Sequence, residues 1–276
     1  MTERSRSELQ SIARTIRRHT VTSTTAAGSG HPTSSMSAVE IAVALYFGGL
    51  LRHDPKNPKW PQRDRFILSK GHAAPLLYAC LAEAGYFPVE QLATLRQLGS
   101  PLEGHPNYRR LPGVEASTGS LGQGLSIGMG HALAAKIDGF DYRTYVVLGD
   151  GEVGEGQVWE AVMSAAKYRL DNLVAIVDQN GYQQTGPTKE VLDLRPLGPK
   201  FEAFGWFAQE IDGHDLDQVL GALRQAAATK NRPSVIVART VKGYPITHLL
   251  GSDPNHHGKP LSKDEAAKVL EYLETH

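Results

Sequence analysis

Cysteine is almost absent, with Cys80 the single one in 276 residues and set in an apolar stretch. That excludes a disulfide framework and a thiolate metal cluster, fits a reducing compartment, and makes Cys80 core filler. Net charge is absent as well. Twenty-nine Lys and Arg balance 29 Asp and Glu, so binding to nucleic acid or to a membrane surface through bulk charge is not expected. The longest hydrophobic run, Ile41 to Leu51, contains two glycines and falls short of the roughly 20 apolar residues that span a bilayer. No apolar segment follows the polar start MTERSRSELQ, so no secretory signal is expected and a cytoplasmic location is the default. Fixed-period repeats and low-complexity blocks are also missing.

What remains is a globular composition, 41% apolar and 21% charged, in a chain long enough to bury a real core. The stretch Tyr145 to Gln184 organises it. Tyr145 to Leu148 is a short β-branched apolar run ending at Gly149, as a buried parallel strand ends, and Gly149-Asp150-Gly151 is a turn. From about Glu155, Trp159, Val162, Met163 and Ala166 follow helical spacing, and a second buried strand, Leu173 to Val177, leads to Asp178, Gln179 and Asn180. In parallel α/β sheets, ligands sit beyond the carboxyl ends of the strands, which directs Asp150 and Asn180 toward one point. A carboxylate and an amide oxygen suit a hard cation that completes its shell with phosphate oxygens and water. Glycines 149 and 151 let the backbone approach an anion, and the following helix offers it unpaired N–H groups. The unit reads as a metal-diphosphate site.

Elsewhere the same alternation continues. Helical spacing predicts a surface helix from Ser7 to about Thr22, with Leu9, Ile12, Ala13 and Ile16 inward and Arg14, Arg17 and Arg18 mostly outward. The Gly/Ser/Pro-rich AAGSGHPTSSMS reads as a loop, followed by a buried helix from Ser37 to Phe47. A strand is expected from Arg65 to Ser69, and helices over Ala73–Ala84, Leu125–Ile137 and Asp215–Ala228. Further strands are expected over Trp206–Ile211 and Val235–Ala238. Ser262 and Glu265 give the last helix, to Leu273, a capping-box pattern. The small residues of the 125–137 helix favour close approach by a neighbouring element or subunit. Together these predict an α/β fold, a doubly wound and mostly parallel sheet with helices on both faces.

Four histidines stand in Gly-bounded loops: His31 in GSGHP, His72 in SKGH, His105 in EGHP and His257 in HHG. As zinc ligands they lack the tight pairwise spacing and the cysteines that usually mark such sites. Counting Glu152 to Gln179 leaves 28 residues between the GDG triplet and Asn180. That interval resembles the diphosphate motif of thiamine-diphosphate enzymes. In order, SGHP, DRF with S-x-GH, EGHP, STGSLGQG, GDGEVGEG and D-x-N-G-Y resemble the amino-terminal, diphosphate-binding half of transketolase over nearly the whole chain.

That resemblance implies a thiamine-diphosphate-binding fold, with residues 1–276 forming one diphosphate-binding domain. It implies that Asp150, Asn180 and the Tyr182 carbonyl hold Mg²⁺ or Ca²⁺, that Gly151 and His72 touch the diphosphate, and that Gly119, Ser120 and Leu121 lie against the aminopyrimidine. His31 and His105 are placed near the reacting carbon and His257 beside the diphosphate, with His256 its neighbouring alternative; Glu155 lies where two active sites meet. The implied reaction passes a two-carbon ketol unit from a ketose (phosphate) to an aldose (phosphate), the cofactor acting as electron sink. The pyrimidine-binding and C-terminal domains of a full transketolase, with the glutamate that activates the cofactor, are not found in this sequence. They are expected on a separate partner subunit, in a heterotetramer of two copies of each. Three rival readings are an enzyme for an unusual ketose in a specialised sugar pathway, the alpha subunit of a 2-oxoacid dehydrogenase, and a non-catalytic cofactor-binding subunit.

Overall fold

The computed structural model describes residues 4–250 and 256–275. Ser5 caps the first helix, α1 (Arg6–Ala27). Its hydroxyl accepts from the Glu8 N–H at 3.3 Å and the Glu8 carboxylate accepts from the Ser5 N–H at 2.7 Å. The helix runs on past Thr22, with the Thr20 and Thr24 hydroxyls donating to carbonyls one turn back, until Gly28 closes it in the left-handed region (φ 58). Nor is α1 purely a surface helix. Arg17, expected outward, is 4% exposed and pairs with Glu40 at 2.6 Å, since the next long helix lies against it.

The segment expected as a loop around His31 holds a short helix, α2 (Pro32–Met36). Proline in the first turn has its φ already set and no N–H left unpaired there. The buried α3 (Val39–Phe47) follows, then strand β1 (Arg65–Leu68), α4 (Ala74–Glu83), α5 (Gln123–Asp138), β2 (Thr144–Gly149), α6 (Gly156–Lys167) and β3 (Leu173–Gln179). Next come a minimal hairpin, β4 (Tyr182–Gln183) with β5 (Gly186–Pro187), and two short helices, α7 (Thr188–Val191) and α8 (Leu197–Ala203). The chain ends with β6 (Phe207–Asp212), α9 (Leu216–Ala228), β7 (Ser234–Arg239) and α10 (Lys263–Thr275), the last carrying the Ser262–Glu265 capping box. Trp206, expected as the first residue of β6, lies just before the strand instead, 1% exposed, with its indole N–H donating to the Val162 carbonyl at 2.9 Å.

The five long strands are all parallel, in the order β1-β2-β3-β7-β6. Side chains alternate between two cores, as the pleat demands. Phe66, Tyr145, Val147 and Ile176 join α1, α3, α4 and α9 on one face, while Ile67, Val146, Leu148 and Val177 join α5, α6 and α8 on the other. Cys80 is fully buried in the first core. The close approach expected of the glycine-rich helix is real at Gly128, where a Cβ would collide with Val146 Cγ2. Met163 does not face inward: it is 48% exposed, because Val158, Ala161, Val162 and Ala165 form the buried stripe of α6. No helix among the described residues is long and apolar enough to cross a membrane.

Candidate active site

The loops at the carboxyl ends of β1, β2, β3 and β7 surround a cavity of about 730 Å³ lined by His31, His72, Asp150, Asn180, Lys242 and His257, among others. Residue type and strand position explain each arrival. β2 and β3 are paired so that Gly149 lies opposite Asp178, which sets Asp150 and Asn180 side by side just beyond the sheet. Asp150 is 8% exposed and accepts N–H bonds from Gly151 at 3.0 Å and Gly181 at 2.8 Å. Burial, reinforced by the nearby Asp178 charge, raises its carboxyl to about 6. A Cβ at Gly151 would come within 2.6 Å of Gln183 Cβ, so the turn needs glycine to close against the hairpin.

Beneath this pair lies a buried network that sequence reasoning missed. Asp178 is fully buried and accepts from the Lys70 ammonium, the Thr240 hydroxyl, the Ser37 hydroxyl at 2.6 Å and the Asn180 amide at 3.2 Å. Burial works against its charge, but Lys70 and the hydroxyl donors hold the carboxyl below its usual range. Giving its N–H₂ to Asp178 leaves Asn180 with its oxygen on the other side, accepting from the Tyr182 N–H at 3.1 Å. Glu152, also unassigned from sequence, is 2% exposed and ties three loops together through Ser69, the Gly122 N–H and the Gly149 N–H.

Three imidazoles line the same cavity. The His31, His72 and His257 ring centroids are 5.0 to 5.3 Å apart. Burial lowers all three, His31 and His257 to about 4 and His72 to about 2, with mutual repulsion and the Lys70 and Lys242 charges adding to it. The rings are therefore neutral near pH 7. His31 Nδ1 is buried with no hydrogen-bond partner among the described residues, a donor-or-acceptor position open to a ligand. Lys242, 2% exposed, reaches the His257 Nδ1 at 2.9 Å, so His257 rather than His256 lines the cavity. His105 lies at the exposed mouth, its ring against Gly119, where a Cβ would stand 2.9 Å from the imidazole Cδ2.

Gly119, Leu121, Glu155 and Tyr182 also line the cavity, whereas Ser120 is exposed and does not. Lys70, Asp178 and Lys242 carried a usable signal, charged residues at or just past the tips of apolar strands, but each strand end offered several polar residues and spacing did not choose among them. Among the described residues no group of three His, Cys, Asp or Glu side chains stands in a metal-holding arrangement. The Asp150–Asn180 pair is a different kind of donor set, one carboxylate and one amide oxygen. With backbone carbonyls and phosphate oxygens it fits Mg²⁺ or Ca²⁺ better than zinc. The glycine-lined approach at 151 and the buried cations Lys70 and Lys242 fit a diphosphate.

Comparison with known proteins identifies the family. Residues 8–275 match the family "Transketolase, thiamine diphosphate binding domain". A 6-deoxy-6-sulfo-D-fructose transketolase subunit SqwG of Clostridium sp. (strain MSTE9) is 44% identical over 264 residues, 96% of this chain and 96% of its own. One of the subunits of an apulose-4-phosphate transketolase of Phocaeicola vulgatus is 41% identical, over 90% of this chain and 88% of its own. Among solved structures, transketolase from Campylobacter jejuni superposes with a TM-score of 0.91 at 34% identity, covering 98% of this chain but only 43% of that one. With the family profile spanning nearly all of the sequence and two subunit-length relatives above 40% identity, the chain belongs to the transketolase family, in its thiamine diphosphate binding domain.

Proposed function

We propose that this chain is the diphosphate-binding subunit of a two-chain, thiamine-diphosphate-dependent transketolase, its residues 1–276 forming one domain. The observation that carries this is the convergence of Asp150 and Asn180 on one cavity, facing the His31, His72 and His257 rings. When bound, thiamine diphosphate supplies the electron sink for cleaving a ketose carbon–carbon bond. Asp150, the Asn180 oxygen and the Tyr182 carbonyl hold Mg²⁺ or Ca²⁺ for it, and His72, His257 and Gly151 receive its diphosphate. His31 and His105, kept neutral, accept and return protons at the sugar hydroxyls. A partner chain supplies the pyrimidine-binding domain and the activating glutamate, with Glu155 at the contact and two copies of each chain in the assembly. The single buried Cys80 supports a reducing, cytoplasmic setting.

The reading is tested by assaying the purified chain alone and with its partner. Ketol transfer is expected only with both; full activity from this chain by itself would refute the division of labour. A second reading of the substrate is favoured by the names of the two relatives that this chain matches nearly end to end, both of them subunits for uncommon sugars. A donor panel comparing xylulose phosphate with deoxysulfo and branched ketoses separates a pentose-phosphate role from a specialised one. Family membership sets aside the 2-oxoacid dehydrogenase reading, and the intact set of oxygen donors and histidines favours a catalytic subunit over a non-catalytic one.

Acid should weaken cofactor binding in a defined window. Metal binding needs the Asp150 carboxylate, whose proton leaves only near 6. As pH falls below that value the binding-competent fraction drops about tenfold per unit. Calorimetry of the cofactor with Mg²⁺ between pH 7.5 and 5 should show affinity falling at the acid end, and a flat profile would contradict the assignment.

A further inference from the structure

We propose that Arg96 is a positioning residue that ties the His31 loop to the His105 loop and so sets the spacing of the two imidazoles across the cavity. This rests on the reading of His31 and His105 as the groups that face the sugar. Arg96 belongs to neither loop. Its guanidinium donates through one nitrogen to the Ser29 hydroxyl at 2.9 Å, two residues before His31. Through another it donates to the Gly104 carbonyl at 3.3 Å, immediately before His105. The planar group also lies flat against Gly104, where a Cβ would come within 3.0 Å of the guanidinium carbon, so the loop needs glycine there to receive the arginine. The Arg96 backbone is itself held in the left-handed region (φ 59), fixed by its N–H donating to the Leu102 carbonyl at 2.8 Å. A non-glycine residue seldom adopts that conformation unless its surroundings impose it. From beneath, the Tyr78 hydroxyl donates toward the Glu103 and His105 carbonyls at 2.9 and 3.0 Å, so the His105 loop is pinned from two sides and the His31 loop through Arg96.

The charge of the tie acts in the same direction. Burial lowers His105 first, and the Arg96 cation is the charged group that adds to it. His31 feels His257, Arg96, His105 and Lys242 as well as its own burial, with the His72 ring 5.1 Å away. Only a forked, planar donor reaches both loops; an ammonium on a flexible stem replaces the charge but not the two-ended link.

Arg96→Met and Arg96→Lys, each combined with the partner chain, test this. Both variants should bind thiamine diphosphate within about twofold of the parent, since Arg96 is not among the residues that line the cavity. Misplacement on the scale of 1 Å costs about 100-fold, so kcat/KM should fall by about that factor in Arg96→Met and stay well below the parent in Arg96→Lys. In the chain alone, NMR titration should show His105 protonating at higher pH in Arg96→Met and near the parental pH in Arg96→Lys. Parental kcat/KM in either variant would overturn the tie, Arg96→Lys in particular by showing that charge alone suffices. If the parent pair transfers no ketol at all, the functional reading has failed, while the shifted His105 titration still reports on Arg96. An unshifted His105 in Arg96→Met would remove the electrostatic half of the argument and count against the proposal.

Discussion

Asp150→Ala is expected to lose metal-dependent binding of thiamine diphosphate by at least about 100-fold while the domain stays folded. The size follows from position: Asp150 is the one carboxylate in the proposed donor set, and losing even an outer partner of a metal ligand typically costs 10–100-fold in affinity. The fold survives because the carboxylate is not at ease where it stands. Burial and the Asp178 charge hold its proton on until about pH 6, so removing it takes away a repulsion as well as two hydrogen bonds. The freed Gly151 and Gly181 N–H groups cost about 1–3 kcal/mol each at most where water cannot replace the lost acceptor. Asp150→Asn keeps an acceptor for one of them and serves as the control. Calorimetry with and without Mg²⁺ reads the binding and thermal melting reads the fold; parental affinity in Asp150→Ala would disprove the metal assignment.

Removing the carboxylate next to it should do the opposite, damaging the fold more than the chemistry. In Asp178→Ala the Lys70 ammonium, whose side chain is 1% exposed, is left with its partner gone. Breaking a buried pair from one side costs about 3–5 kcal/mol. At about 2–4 °C per kcal/mol for a domain somewhat smaller than this one, Tm should fall by roughly 6–20 °C. The double variant Asp178→Leu with Lys70→Met removes both charges and should recover most of that loss. The same double variant frees the Asn180 amide from its acceptor, so cofactor affinity should stay impaired even where stability returns. If the double variant melts no higher than Asp178→Ala, the cost lies in packing rather than in the stranded charge.

These two aspartates show where reading the sequence succeeds and where it stops. Asp150 follows a glycine that ends an apolar run, and Asn180 stands at a family-like interval, so period and spacing together put both at strand ends that line the cavity. Asp178 has the same chemistry and sits two residues before Asn180, but its role depends on Lys70, Ser37 and Thr240, which come from three other parts of the chain. Long-range pairing of that kind leaves no local pattern. The strands were legible because burial on both faces writes a continuous apolar run, and the sheet order was not, because β7 enters between β3 and β6 only in space. The same limit hid Arg17, whose helical face looked solvated until Glu40 of α3 was set against it.

The late arrival of β7 matters during synthesis. Among the described strands of the large sheet β6 has β7 as its sole neighbour, and β3 meets β7 on its open side. Until residues 234–239 leave the ribosome, the nascent polypeptide carries two unmatched edges, one on each side of a gap one strand wide. Such edges are templates for pairing with other chains. A polypeptide cut short early, or a stall before Arg239, therefore yields material prone to sticking to its own kind rather than a smaller working unit.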